Sequence, residues 1–155
     1  MVPQEQKQVV TENKKAYHDY EVLSTYEAGV VLSGSEVKSI RHNQCSLKGN
    51  FVHEWHGELF VEGMHVVPYK FATMEQPNPL RKRKLLLKKK EIQKIVTTLK
   101  EKGVSCVVLE LVIRHQLVKA IIGVVRGKKL HDKRATLKKK EEDRTIARAL
   151  KAFSR

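Results

Sequence analysis

Two runs of β-branched residues in the second half of the chain constrain its fold more than any other feature. Val104 to Ile113 and Leu117 to Val125 are dense in Val and Ile, and a short connection at His115-Gln116 separates them. Such side chains are stiff at χ1 and pack well on a pleated surface, so the runs predict two long strands joined by a tight turn. Glu110, Arg114 and Lys119 break the apolar stretch, which excludes a membrane-spanning helix.

The remaining elements read as short. Residues 1 to about 12 lack apolar periodicity and are expected to form a loose arm. Tyr17 to Leu32 reads as strand, turn, strand, with the turn at Glu27-Ala28-Gly29. Ser33-Gly34-Ser35-Glu36 fits a capping box that opens a short helix with Val37 and Ile40 inward. Phe51 to Glu62 reads as a hairpin turning at His56-Gly57-Glu58, Met64 to Pro68 as a further strand, and Pro77 and Pro79 as a loop. Ile92, Ile95, Val96 and Leu99 fall at i, i+3, i+4 and i+7, a helix stopped at Gly103. Many short strands with two or three helices suggest a small barrel or sandwich.

Charge adds a functional constraint. The 155 residues hold 31 Lys+Arg and 17 Asp+Glu, a net +14. Arg81 to Lys90 carries seven basic residues and no acidic one, Arg126 to Arg155 carries twelve and four, and the rest of the chain carries twelve and thirteen. The excess therefore sits in two blocks, which points to a polyanion met at two places. Lys88-Lys89-Lys90 opens a helix, where positive charge opposes the macrodipole and an anion nearby would compensate. In the last thirty residues Ile146, Ala149, Leu150 and Phe153 make an apolar stripe, with Lys140, Arg144, Arg148, Lys151 and Arg155 grouped almost opposite. This amphipathic basic helix is expected to be disordered until it meets its partner.

Several motifs carry less than they suggest. Gly123 to Lys128 has glycines and a lysine but one residue too few between the glycines for a phosphate-binding loop, and Lys129 where Ser or Thr should hold magnesium. His53, His56 and His65 lie too awkwardly on strands to share a metal ion, so no metal site is expected. His131-Asp132 and His18-Asp19 are adjacent pairs without a placed nucleophile, so the chain reads as no enzyme and needs no cofactor. Cys45 and Cys106 read as reduced, half-buried thiols, and the polar start Met1 to Val10 carries no secretion signal, so a cytoplasmic location is expected. Aromatics amount to 6%, which argues against a broad base-stacking platform.

Four segments together resemble one family. Asn13 to Tyr20 with Glu27-Ala28-Gly29, Gly34 to Arg41, Pro79 to Leu87 and Gly127 to Arg134 are similar, in order and spacing, to the motifs of the SsrA-binding protein (small protein B) family. The resemblance implies a mainly β fold with α: an oligonucleotide-binding (OB)-type barrel of about six antiparallel strands with three helices, spanning 13–126, and a basic tail at 127–155. It implies binding to the tRNA-like domain of transfer-messenger RNA, delivery of that RNA to stalled ribosomes, peptide tagging and ribosome rescue, without catalysis. By the same resemblance the RNA face would comprise Asn13, Lys14, Lys15, His18, Glu27, Glu36, Lys38, Ser39, Arg41, Arg81, Arg83 and Lys84, with the basic members on phosphates and Leu86 supporting them from beneath. Gly127, Lys128, Lys129, His131, Asp132, Lys133 and Arg134 would occupy the small-subunit decoding centre. Lys138, Lys139, Lys140, Arg144, Arg148 and Lys151 would lie along rRNA in the mRNA channel as a helix. The loop His42-Asn43-Gln44-Cys45 departs from the glycine and basic residue usual there. The competing reading of the same charge is a non-enzymatic, ribosome-associated scaffold that holds rRNA.

Overall fold

A computed structural model describes residues 7–72, 76–128 and 130–153, without the side chains of 130–133, 135–136 and 153. In chain order the elements are β1 (Gln8–Glu12), α1 (Lys14–Asp19), β2 (Tyr20–Val30), α2 (Gly34–Arg41), β3 (Cys45–Ser46), β4 (Phe51–Trp55), β5 (Glu58–Glu62), β6 (His65–Val66), β7 (Arg83–Leu86), α3 (Lys89–Leu99), β8 (Val104–Arg114), β9 (Leu117–Gly127) and α4 (Leu130–Phe153). Seven strands make one antiparallel sheet in the order β1-β8-β9-β2-β7-β5-β4, and β3 pairs with β6 alone. The fold class is therefore mainly β with helices, as expected, with one more strand in the main sheet than the resemblance implies and with α1, α2 and α3 as the three helices of the domain and α4 in the tail. No described helix is long and apolar enough to cross a membrane.

The β8–β9 hairpin is the spine. Its turn uses His115 and Gln116 at φ 51° and 65°, the paired positive values that match the right-handed twist of the flanking strands. Both faces of β8 are buried, and a bulge between Val108 and Glu110 resets the alternation. Cys106 and Val108 point into the main core before the bulge and Leu111 after it, while Val107 and Leu109 join Ala16 and Val125 in a second, smaller core under α1. Gly123 makes that second core possible, since a Cβ there would lie 2.6 Å from Leu109 Cδ1. Packing thus explains the first glycine of the loop-like run at 123–128. On the main-core side, α3 contributes the fully buried Ile95 together with Ile92, Val96 and Leu99. Cys106 is fully buried rather than half-buried, and burial pushes its thiol up to about 12.

Among the described residues no ladder joins β4 to β1 or β8, so the sheet curls without closing. Asn50, just before β4, spans the gap. Its Nδ2 donates to Val108 O at 3.0 Å and to Leu47 O, and its Oδ1 accepts from Val108 N at 2.7 Å. Asn50 is 5% exposed. Asn50→Ala strands these buried backbone groups and is expected to cost about 2–3 kcal/mol. A thermal melt should show Tm falling by roughly 5–10 °C, whereas an unchanged Tm would mean water replaces the amide at no cost.

Two further sequence readings are corrected. The loose arm through residue 12 is strand β1 from Gln8, paired with β8 through Val9↔Val112 and Glu12↔Glu110. Backbone pairing holds it, and with Val9 49% exposed it shows no apolar alternation. The strand-turn-strand reading of Tyr17 to Leu32 gives way to α1 and one continuous strand. Asn13 caps α1 by accepting from Ala16 N at 3.2 Å. Glu27-Ala28-Gly29 stays in β2 because these small residues are packing sites. Ala28 is fully buried, and a Cβ on Gly29 would sit 3.3 Å from Leu86 Cβ. The capping box at Ser33 and Glu36, the β4–β5 hairpin and α3 form as read.

Candidate nucleic-acid interface

The first part of the central basic block, Arg81 to Lys84, is paired within the fold. Arg83, on β7, is fully buried, and its Nε donates to Glu36 Oε2 at 2.6 Å. Its remaining donors reach Met64 O at 2.7 Å and Pro79 O at 3.1 Å. Arg81 Nε donates to the same carboxylate at 3.2 Å and its NH2 to Val31 O. Lys82 pairs with Glu62 and Lys84 with Glu58, each at 2.8 Å. Glu36 also receives Ser33 N at 2.9 Å in the capping box. Burial alone would raise its pKa, but the bonds from Arg81, Ser33 and Arg83 outweigh that and hold it below the ordinary glutamate value.

These contacts change what the sequence-derived residues can do. Arg83 has no exposed surface for a phosphate, and Glu36 at 4%, Ser39 at 0% and Asn13 at 8% exposure are structural. Asn13 Nδ2 donates to Leu47 O and Val108 O while its oxygen caps α1. Leu86, expected beneath the surface, is 51% exposed and forms part of it. Glu27, half-exposed, pairs with Arg114 at 2.9 Å. Arg41 NH2 donates to Gln116 O at 2.9 Å, linking α2 to the β8–β9 turn. His18 Nδ1 lies 3.0 Å from Asp19 Oδ1.

The lysines outside ion pairs lie elsewhere. Lys14 and Lys15 on α1, Lys38 on α2 and Lys88, Lys89 and Lys90 at the start of α3 are exposed. Among the described residues none of them stands in an ion pair. Lys88 provides no side-chain cap for α3, so that helix start keeps both its free amides and its positive charge.

The tail leaves β9 at a pinned point. Lys128 N donates to Asp19 O at 3.0 Å and Lys128 Nζ to Tyr17 O at 3.1 Å. Helix α4 then starts at Leu130, eight residues before the read helix at Lys138. Arg134, Lys138, Lys139, Lys140, Arg144, Arg148 and Lys151 are exposed, and so, within the apolar stripe, are Ala149, Ile146 at 58% and Leu150 at 67%. Lys129 and the side chains of His131, Asp132 and Lys133 lie outside the described residues. A Cβ on Gly127 would meet nothing within 4 Å.

A curled antiparallel sheet with uncompensated lysines on three helices, and a cationic helix projecting from its last strand, defines a small polyanion-binding β-domain. The family model described as SmpB protein matches residues 10–152. The chain is 47% identical to the SsrA-binding protein of Latilactobacillus sakei over 149 residues, 96% of each chain, and 46% identical to that of Bacillus pumilus over 150 residues, 97% of this chain and 96% of the other. A solved structure described as "tmRNA-SmpB: a journey to the center of the bacterial ribosome" superposes with a TM-score of 0.67 at 40% identity, covering 78% of this chain and 85% of that one. The chain belongs to the SmpB protein family.

Proposed function

We propose that this chain binds the tRNA-like domain of transfer-messenger RNA and delivers it to stalled ribosomes for peptide tagging and rescue, acting in the cytoplasm as a non-catalytic RNA-binding protein. The observation that carries this reading is the near full-length match to SsrA-binding proteins together with the tmRNA-SmpB structure. The exposed lysines of α1 and α2, with Arg41, Lys84 and Leu86, make the RNA face. Asn13, Glu36, Ser39 and Arg83 set its geometry from below. Residues 127–134 enter the decoding centre and α4 follows the mRNA channel, its exposed apolar and basic faces both available to rRNA.

Capture of cellular RNA on the full-length chain, followed by sequencing, tests the reading. One abundant RNA with a tRNA-like end is expected, while bulk rRNA without it would overturn delivery in favour of a scaffold. Salt dependence tests the face itself. Lys15→Ala and Lys38→Ala should each flatten the log–log slope of affinity against salt by about 0.7–0.9, one phosphate apiece. Lys82→Ala should leave the slope unchanged because Glu62 already holds that ammonium. The opposite ranking would show that the ion pairs open on binding.

A further inference from the structure

Two groups of aromatic side chains that the face described above does not use come together in the fold. One lies on the β4–β5 hairpin, where Phe51, His53, Trp55 and Phe60 are ring neighbours. Its adjacent ammonium, Lys82, is held by Glu62. The other joins the end of α2 to the segment after β6. There the Tyr69 ring is parallel to His42 within 11° at a centroid distance of 6.2 Å, and Phe71 meets Tyr69 edge-on at 5.8 Å. Lys38 Nζ stands 5.5 Å from the Tyr69 centroid and Lys70 Nζ 5.8 Å from that of Phe71.

Charge separates the two groups. Among the described residues neither Lys38 nor Lys70 stands in an ion pair, so this second group presents cations over the rings of a half-buried Tyr69 and an exposed Phe71. At 6.2 Å two nearly parallel rings cannot cover each other, and Phe71 is 72% exposed. The group is also held in place. The Gln76 side chain bonds both the N–H and the C=O of Tyr69, and Val67 N donates to Gln44 O at 2.9 Å. A fixed aromatic surface flanked by ammonium groups is what an unpaired nucleotide needs: a π-face for the base and a cation for its phosphate.

We propose that His42, Tyr69 and Phe71, with Lys38 and Lys70, form a stacking site for one or two unpaired nucleobases of the bound RNA. This deepens the RNA-binding reading and rests on it. The occupant is single-stranded RNA rather than duplex, because bases in a helix keep their faces covered.

The test uses the full-length chain and two probes, the tRNA-like domain of transfer-messenger RNA and an unstructured adenosine decamer. Tyr69→Ala should weaken binding about 5- to 100-fold with an unchanged salt slope, because stacking releases no counterions. Tyr69→Phe should stay within about twofold, and Trp55→Ala on the hairpin should do the same. If Tyr69→Ala matches the parent on both probes, the stacking site is overturned and the RNA-binding reading survives. If the tRNA-like domain is not bound while the decamer is bound through Tyr69, the delivery reading fails and the stacking site stands. Binding of neither probe overturns both. Should Tyr69→Ala prove unfolded, ultraviolet cross-linking of the unaltered chain decides. Adducts on the peptide carrying Tyr69 and Phe71 are expected, and their absence overturns the site.

Discussion

Glu36→Ala is expected to destabilise the protein by about 3–5 kcal/mol, because it leaves the fully buried Arg83 guanidinium without its carboxylate. The same change removes the capping box of α2 and one partner of Arg81. In a melt Tm should fall by roughly 10–20 °C. Glu36→Gln should recover little, since an amide cannot balance the charge. Glu36→Leu combined with Arg83→Met should recover much of the loss, because burying neither charge removes the desolvation penalty. Acid provides an independent check. The folded pKa of Glu36 lies below that of the unfolded chain, so its contribution is complete above the ordinary glutamate value of about 4.3 and is lost as pH falls through the folded value. The stability gap between parent and Glu36→Gln should therefore narrow in acid. If Glu36 instead met RNA directly, Glu36→Ala would reduce affinity while Tm held.

Removing residues 130–155 is expected to abolish ribosome-dependent peptide tagging while leaving affinity for the tRNA-like domain within about twofold. The physical reason is that every described side chain of α4 is exposed and none belongs to either core. The truncation keeps Lys128, whose two hydrogen bonds fasten the end of β9 to α1, so Tm should not move. Neutralising Lys128, Lys129, Asp132, Lys133 and Arg134 in the intact chain is the narrower version and should also silence tagging. A loss of RNA affinity comparable to the loss of tagging would show that tail and domain share one RNA site.

How far the site could be read from sequence depends on the kind of signal each residue leaves. The capping box was legible because four consecutive residues, Ser33 to Glu36, form it. The β8–β9 hairpin was legible because its stiff side chains fill both runs. The pairing of Arg81 to Lys84 left no trace in the sequence because the partners Glu36, Glu58 and Glu62 are distant along the chain, so a block counted as charge is paired in space. Glu27-Ala28-Gly29 was misread because small residues mark turns and close packing alike. Tyr69 and His42 gave no signal, since each stands alone in its segment and only the approach of the loop to α2 makes them neighbours.

The chain's own order of residues determined its antiparallel β character, the position of its longest hairpin, the caps of α2 and the division of charge into two blocks. Those properties arise from local sterics and local counting, in which neighbours along the chain interact directly. The tertiary structure alone decided which cations remain available to RNA. A charge is free or spent according to what lies within a few ångströms, and in this protein the fold brings carboxylates from α2 and β5 onto Arg81 to Lys84 while, among the described residues, it pairs no carboxylate with the lysines of α1 and α2.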